Sequence, residues 1–147
     1  MRERRWFAVL VLASTVALVG TACSKKSSAS GGGSSSKMTI DGVQASNHGS
    51  KSITGASSLD VQLNNSGSDY YFSPTVINGT AGQKVTVDLS NDGNTAHTFT
   101  IDSANIDEEL QPGTKTSTTV TLPSSGTLVF YCKFHKSLGM LGEFSVG

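Results

Sequence analysis

The sequence has little charge and is short. Charged residues make up 15% of its 147 residues, and 23 Ser, 16 Thr and 16 Gly fill much of the remainder. This composition is typical of turn-rich β structure and polar linkers, and it argues against a helical domain. The length accommodates one modest domain with an attachment, which excludes a large multi-domain enzyme.

Basic residues are scarce in the C-terminal part of the chain. Residues 59–147 carry 4 Lys against 9 acidic residues, a net charge of −5. Because phosphate binding needs a basic face, this acidic module argues against nucleic acid as a partner.

A long hydrophobic run is also missing. Residues 6–19 are apolar and almost uncharged, but 14 residues fall short of the ~20 that span a bilayer as a helix. Three Arg precede this run and the small residues 20–22 follow it, a pattern that predicts a secretory signal peptide over residues 1–22. An uncleaved membrane anchor that extends to Ala22 is the alternative.

Cys23 directly follows the small residues, and the segment Val-Gly-Thr-Ala-Cys resembles a bacterial lipobox. The resemblance implies that Cys23 is lipidated and becomes the first residue of the exported protein. We therefore expect a lipid anchor in the cell membrane, with the protein facing the periplasm or the extracellular side. The alternative is an incidental Cys near a conventional cleavage site.

The residues after Cys23 are predicted to form a flexible tether, which ends at residue 58. Residues 24–58 hold 12 Ser and 6 Gly and lack aromatic side chains, so they bury too little apolar surface to offset the entropy of ordering. We expect His48 to be solvated there. Residues 38–41 alternate between apolar and polar and are the one candidate for a short edge strand.

From residue 59 onward, short alternating runs are separated by turn signals, which is typical of an antiparallel sandwich or barrel. The runs predict seven to eight strands, while residues 103–110 are irregular and are expected to form a loop or one helical turn. The expected core comprises Phe72, Val85, Val87, Leu89, Phe99, Ile101, Val120, Leu122, Val129, Phe130 and Phe144.

One predicted strand carries a histidine on its apolar face. Residues 96–101 alternate, so that His97, Phe99 and Ile101 share one side of the pleat. A single His in such a position is usually a hydrogen-bonded core residue, and only partner residues change that interpretation.

The loop between the last two predicted strands supplies such partners. Cys132, His135 and Met140 lie at the spacing Cys-x2-His-x4-Met. If Cys23 is lipidated or removed, Cys132 has no disulfide partner, and a free thiol in an oxidising compartment is a liability unless something occupies it. Thiolate, imidazole and thioether form the ligand set of a His2Cys copper site with an axial Met, and His97 would supply the second imidazole.

Two other chemistries use some of the same residues. Zinc competes for the site, but it favours four strong nitrogen or sulfur donors and Met is a poor ligand for it. Cys132 as a nucleophile, with His97 or His135 as base, is the second alternative. It is disfavoured because the sequence shows no feature of a substrate cleft.

With these residues the sequence resembles a known family, the plastocyanin-like cupredoxins or blue copper proteins. The residues that carry the resemblance lie within 59–147: the segments Tyr71-Phe72-Ser73-Pro74 and Ala81-Gly82-Gln83-Lys84-Val85, the His97 strand, and the loop from Phe130 to Gly142. The resemblance implies a Greek-key β-sandwich or barrel, all-β, with the metal at one end. It also implies one mononuclear type-1 copper ion, with His97, Cys132 and His135 as equatorial ligands and Met140 as the axial ligand.

The sequence departs from the family pattern at two positions. Thr98 follows the first ligand His, where family members often have Asn, and Phe134 precedes the second, where plastocyanins often have Pro. Around the edge of His135 we expect an apolar patch formed by Phe134, Leu138, Met140 and Leu141.

The function expected from this resemblance is one-electron transfer outside the cytoplasm, by a monomer. The partners would be redox proteins such as cytochromes or a terminal oxidase or reductase. Three His are too few for additional copper centres, so we expect no enzyme activity. The alternatives are a copper carrier or storage protein without redox cycling, and a metal-free β-sandwich lipoprotein of adhesion or assembly.

Overall fold

The computed structural model describes residues 36–147, and the predicted signal peptide, Cys23 and residues 24–35 lie outside this part of the chain. No helix within residues 36–147 is long and apolar enough to cross a membrane. Two short 3₁₀ helices, Asp102–Ala104 and Lys136–Leu138, interrupt the strands. The strands are β1 (Ser36–Ile40), β2 (Val43–Asn47), β3 (Ser50–Ser52), β4 (Ser58–Ser66), β5 (Asp69–Ser73), β6 (Val76–Gly79), β7 (Lys84–Asn91), β8 (His97–Ile101), β9 (Ile106–Leu110), β10 (Lys115–Thr121), β11 (Gly126–Tyr131) and β12 (Leu141–Val146).

Two larger sheets and a separate hairpin make up the fold. One sheet has the strand order β10-β7-β4-β5, the other β3-β6-β12-β11-β8-β9, and β1 pairs only with β2. The predicted all-β sandwich is confirmed. The sheets are mixed, because β4 runs parallel to β7 and β6 runs parallel to β12.

The core between the two large sheets follows from the alternation of the strands. In the first six residues of β4 and of β7, every second residue is buried and the residues between are exposed. Four aromatic rings, those of Phe72, Phe99, Phe130 and Phe144, are fully buried with neighbouring centroids 5.0–6.0 Å apart. Such edge-to-face and tilted packing is favourable for aromatic pairs.

Val129 is the exception among the expected core residues. It is half-buried and belongs to a second, smaller apolar cluster with Ile40, Ala45, Leu141 and the ring of Tyr131. Because Val129 and Phe130 are neighbours in a strand, they face opposite sides of the sheet. Phe130 faces the main core, and Val129 faces the hairpin β1–β2.

The predicted tether is partly folded, which corrects our boundary at residue 59. Residues 36–52 contain three strands, and the candidate edge strand at residues 38–41 is found as β1. Ile40 and Ala45 cover Leu141 on the outer face of the six-stranded sheet, and Ile53 joins the main core. The composition of this segment predicted a flexible tether. A few apolar residues among many Ser and Gly are enough to pack it against the sheet.

His48 is not the solvated side chain that we expected. Its ring stacks on Tyr71 with centroids 3.4 Å apart, and its Nε2 lies 2.9 Å from Oδ2 of Asp69. The His48 amide also donates to the Thr75 hydroxyl at 2.7 Å. These contacts fasten the end of the hairpin to β5 and to the residues that precede β6.

The segment 103–110 also differs from the expectation of a loop or one helical turn. A 3₁₀ helix ends at Ala104, and residues 106–110 form β9, the edge strand that pairs with β8. Asp107, Glu108 and Glu109 interrupt the apolar alternation on which a strand prediction depends. Charged residues are common on edge strands, where they discourage pairing with other chains.

Replacing Ile40 by Ala is expected to lower the free energy of unfolding by about 2 to 5 kcal/mol, because it removes buried methyl groups from the contact between hairpin and sheet. Chemical denaturation followed by far-UV circular dichroism measures the change in the free energy of unfolding. Thr39→Ala, at an exposed neighbouring position, is the control and should stay within about 0.5 kcal/mol of wild type. If Ile40→Ala is equally harmless, the hairpin does not contribute to the folded domain.

Candidate metal centre

Strand β8 positions His97 in the interior of the domain. All five residues of this strand are buried, and His97 is 0% exposed at its first position. The ring lies close against Gly93, since a Cβ added there would be 2.9 Å from His97 Nε2. That nitrogen is buried and has no hydrogen-bond partner among residues 36–147, while Nδ1 faces two other donor atoms.

The loop after β11 closes on itself through backbone hydrogen bonds. The Cys132 amide donates to the Met140 carbonyl at 3.1 Å, the His135 amide to the Cys132 carbonyl at 3.2 Å, and the Met140 amide to the His135 carbonyl at 3.1 Å. Each bond joins two of the three predicted ligands in the loop. Their relative positions are therefore fixed by the backbone.

Gly139 allows the hairpin to support this loop. Its φ of +99° is in the left-handed region, and a Cβ would lie 2.7 Å from the Gln44 carbonyl oxygen. The Ser46 amide donates to the Gly139 carbonyl at 2.9 Å. Only glycine combines this backbone conformation with so close an approach of β2.

Three of the four predicted ligands converge at one point. His97 Nδ1 and His135 Nδ1 are 3.2 Å apart, and Cys132 Sγ lies 3.9 Å from the first and 3.5 Å from the second. Nitrogen and sulfur donors bonded to one small metal ion at about 2.0–2.3 Å lie roughly 3.3–3.8 Å from each other. The three donors are thus spaced close to the requirement of a shared ion.

Both imidazoles are in the protonation state that a metal needs. Burial, with a smaller contribution from the nearby His135, lowers the pKa of His97 to about 4. Burial also lowers the pKa of His135 from its usual value. At neutral pH both rings are therefore uncharged and have a lone pair available for coordination.

The other two side chains of the predicted set are buried in the main core. Cys132 is 0% exposed, and its sulfur accepts a hydrogen bond from the Thr98 amide at 3.3 Å. Met140 is also 0% exposed, and its backbone is bonded to both Cys132 and His135. Met140 therefore lies at the end of the loop that carries the other two ligands.

Tyr70 contacts the site, although the sequence analysis did not identify it. Its ring stacks on His135 with centroids 4.0 Å apart and an interplanar angle of 14°, and it meets the His97 ring edge-on at 6.2 Å. A signal for this role exists in the sequence, because Tyr70 and Phe72 alternate with Tyr71 and so share the inner face of β5.

The exposed apolar patch around His135 contains fewer residues than we predicted. Phe134 and Leu138 are 50% and 51% exposed, whereas Met140 and Leu141 are fully buried. Met140 turns into the main core and Leu141 is covered by the hairpin. The exposed patch therefore consists of Phe134 and Leu138, on either side of His135 in the sequence.

The two lysines of the loop are paired with acidic residues. Lys133 Nζ lies 2.6 Å from Asp107 Oδ2, and Lys136 Nζ lies 3.8 Å from Asp41 Oδ2 and 4.4 Å from the centre of the Tyr131 ring. The Tyr131 hydroxyl donates to the carboxylate of Asp102. Local charge around the loop is thus largely balanced.

The comparison with known families decides the classification. The cupredoxin-like domain matches residues 16–144, which is most of the chain. The chain belongs to the cupredoxin-like family. The resemblance to plastocyanin-like cupredoxins that the sequence analysis identified is confirmed.

Solved structures agree with this cupredoxin in fold. A reduced auracyanin from Roseiflexus castenholzii has a TM-score of 0.50 and 22% identity over 60% of this chain and 96% of that protein. A heme-copper terminal oxidase has a TM-score of 0.52 and 18% identity, covering 63% of this chain and 66% of the other. A laccase-like multi-copper oxidase from Ochrobactrum has a TM-score of 0.55 and 11% identity, covering 70% of this chain and 30% of the other. Among proteins with curated functions, none matches this chain.

The family and the donor cluster together assign one type-1 copper site to this cupredoxin, which confirms the expected cofactor. Soft thiolate and imidazole donors are the set that copper prefers. The buried His97 Nε2 is consistent with a ring that is held by packing and oriented through Nδ1.

Replacing Tyr70 by Leu is expected to speed the removal of Cu(I) by a chelator about two- to tenfold, because an aromatic pair is worth ~0.5–1.5 kcal/mol. Tyr70→Phe keeps the stacked ring and is the matched control, with the wild-type rate. Stopped-flow absorbance of the chelator complex measures both rates. Equal rates for the Leu and Phe variants would show that the stack does not hold His135.

Proposed function

We propose that this cupredoxin carries single electrons between redox proteins outside the cytoplasm. In this proposal, His97, Cys132 and His135 are the equatorial ligands of the copper ion and Met140 is the axial ligand. The proposal rests on the convergence of three donor atoms within 3.9 Å, two of them from a loop closed by its own backbone and one from β8.

The rigidity of the donor set favours electron transfer. Copper supplies a one-electron couple between its two oxidation states. The chain contributes fixed positions: His97 is held in a buried strand, and Cys132 and His135 are linked by backbone hydrogen bonds. Donors that do not move when the charge at the site changes keep the reorganisation cost small.

His135 is the ligand best placed to pass electrons to a partner. Its side chain is only partly buried, whereas His97 and Cys132 are 0% exposed. The exposed side chains of Phe134 and Leu138 flank it. A small apolar surface of this kind supports brief contact with a redox protein such as a cytochrome or a terminal oxidase or reductase.

The histidines also favour a carrier over a copper enzyme. Among residues 36–147, one group of His and Cys side chains converges, and it contains His97 and His135. The remaining histidine, His48, is bonded to Asp69 and stacked on Tyr71. It is thus engaged away from the donor cluster.

The first test is the colour of the copper protein. With one equivalent of Cu(II), the full chain in detergent should show an intense thiolate-to-copper band and narrow parallel hyperfine splitting, both bleached reversibly by ascorbate. Cys132→Ser should abolish the band, because it removes the thiolate. His48→Ala, which leaves the donor cluster intact, is the control and should remain blue.

Three other results would contradict electron transfer. A colourless protein that still takes up Cu(I) tightly would favour copper delivery, and absence of binding in either oxidation state would exclude both functions. A blue protein that neither accepts electrons from reduced cytochrome c nor, once reduced, donates them to oxidised cytochrome c would also contradict electron transfer.

We further propose that the domain is held at the outer face of the cell membrane by lipid on Cys23. The sequence around Cys23 supports this, and the start of β1 at Ser36 shortens the connection to the 12 residues 24–35. Twelve residues span at most about 40 Å. The folded domain would therefore stay close to the membrane and exchange electrons with partners located there.

Metabolic labelling with a fatty-acid analogue should mark the wild-type protein, and Cys23→Ala should lose both the label and membrane association. Ser24→Ala is the control and should behave as wild type. If Cys23→Ala is unlabelled but remains in the membrane fraction, an uncleaved N-terminal anchor replaces the lipid. An unlabelled wild-type protein in the soluble fraction would contradict any anchor.

A further inference from the structure

Thr98 joins strand β8 to the copper loop at the point where regular pairing ends. Thr100 of β8 pairs with Tyr131 of β11, and this is the one pair in the register of these two strands. Beyond it, the Thr98 amide donates to Cys132 Sγ at 3.3 Å, and the Lys133 amide donates to the Thr98 hydroxyl at 2.8 Å. Thr98 thus contacts two successive residues of the loop, one of them the thiolate ligand.

The Thr98 hydroxyl is part of a longer chain of polar groups. Thr100 Oγ1 lies 3.1 Å from Thr98 Oγ1 and 3.1 Å from Asp107 Oδ1. Both threonines are buried, at 0% and 4% exposure, although they face away from the main core. Their hydroxyls therefore depend on each other and on Asp107 for partners.

The Thr100 hydroxyl is the donor in both of these contacts, to Thr98 Oγ1 and to Asp107 Oδ1. An ionised Asp107 only accepts, and Thr100 has a single hydroxyl hydrogen, which these two acceptors share. The Thr98 oxygen accepts from Thr100 and from the Lys133 amide.

The Lys133 side chain binds the second oxygen of the Asp107 carboxylate. Its ammonium lies 2.6 Å from Asp107 Oδ2 while its amide donates to Thr98, so the chain of contacts closes into a ring. The hydrogen bond from Lys133, followed by that from Thr100, lowers the pKa of the Asp107 carboxyl. Asp107 is therefore ionised at neutral pH and acts only as an acceptor in these hydrogen bonds.

We propose that Thr100 and Asp107 are positioning residues for the copper loop. The carboxylate holds the Thr100 hydroxyl, and Thr100 in turn holds Thr98 where its oxygen accepts the Lys133 amide and its own amide stays on Cys132 Sγ. This rests on the proposed function in that Cys132 is taken as a copper ligand. Aligned hydrogen bonds strengthen one another, so the loss of one weakens the next.

The expected consequence for the copper couple has a definite sign. The positive end of the Thr98 N–H dipole stabilises electron density on the Cys132 sulfur, which is greater in the reduced protein. Weakening this bond destabilises the reduced state. The reduction potential should therefore fall when Thr100 loses its hydroxyl, a change that leaves the charges around the loop unaltered.

The test compares Thr100→Val, which removes the hydroxyl at nearly constant shape, with Thr100→Ser, which retains it. Asp107→Asn removes the carboxylate acceptor at the surface. It tests the same series of hydrogen bonds if Thr100→Val does not fold. Asp60→Asn, at an exposed site on β4, is the control for loss of one negative charge.

The first measurement is hydrogen exchange of the Lys133 amide by NMR in metal-free full chain, which does not depend on copper. Lys133 is an exposed residue whose amide is protected by Thr98. Thr100→Val and Asp107→Asn should speed its exchange about three- to tenfold, the range that a single hydrogen bond supports. Thr100→Ser and Asp60→Asn should match wild type.

The second measurement is the reduction potential after copper loading, which should fall in Thr100→Val and stay unchanged in Thr100→Ser, a comparison in which no charge is altered. The proposal is overturned if Lys133 exchange is unchanged in Thr100→Val and Asp107→Asn, or if Thr100→Ser shifts as much as Thr100→Val. If the exchange rates change as expected but wild type binds no copper, the proposed function fails and the ordering of the loop by Asp107 stands.

Discussion

The hydrogen bond from the Cys132 amide to the Met140 carbonyl closes the loop on which the whole site depends. With it, the chain leaves β11 and enters β12 at neighbouring positions, so that three proposed ligands are presented within nine residues. Two further backbone hydrogen bonds tie His135 to Cys132 and to Met140 within this loop. The β-sandwich in turn places His97 on the open side of this loop. Strand β8 does so because β11 lies beside it in the sheet.

Burial gives this arrangement its chemistry. The interior lowers the pKa of His97 far enough that the ring is neutral at any physiological pH, and it surrounds Cys132 and Met140 with apolar side chains. Charges near the loop are paired on the outside, by Asp107 and Asp41. With both loop lysines paired and an apolar interior, the donor atoms are the nearest source of electron density at the site. This is a suitable environment for a soft metal ion.

Local sequence signals were sufficient for the parts of the site that are local in the chain. The spacing of Cys132, His135 and Met140 lies within one loop, and the alternation of His97, Phe99 and Ile101 indicates which way the first histidine points. Tyr70 could not be placed on His135 in the same way, because that contact joins β5 to the loop across 65 residues and depends on how the sheets pack. Of the hairpin β1–β2, only β1 was predicted, as a candidate edge strand, and the packing of the hairpin on the sheet was missed for a related reason. Its buried residues Ile40 and Ala45 are unremarkable until the outer face of β12 is known to need a cover.

That hairpin also determines the order in which the domain can be completed. The face that buries Ile40 is built by β11 and β12, the last two strands to be synthesised, about 90 to 100 residues further along the chain. The first strands of the domain to be synthesised are therefore among the last to find their packing partners. Until β11 and β12 are in position, Ile40 and Ala45 have no apolar face to cover. The domain can therefore complete its fold only after these two strands are available.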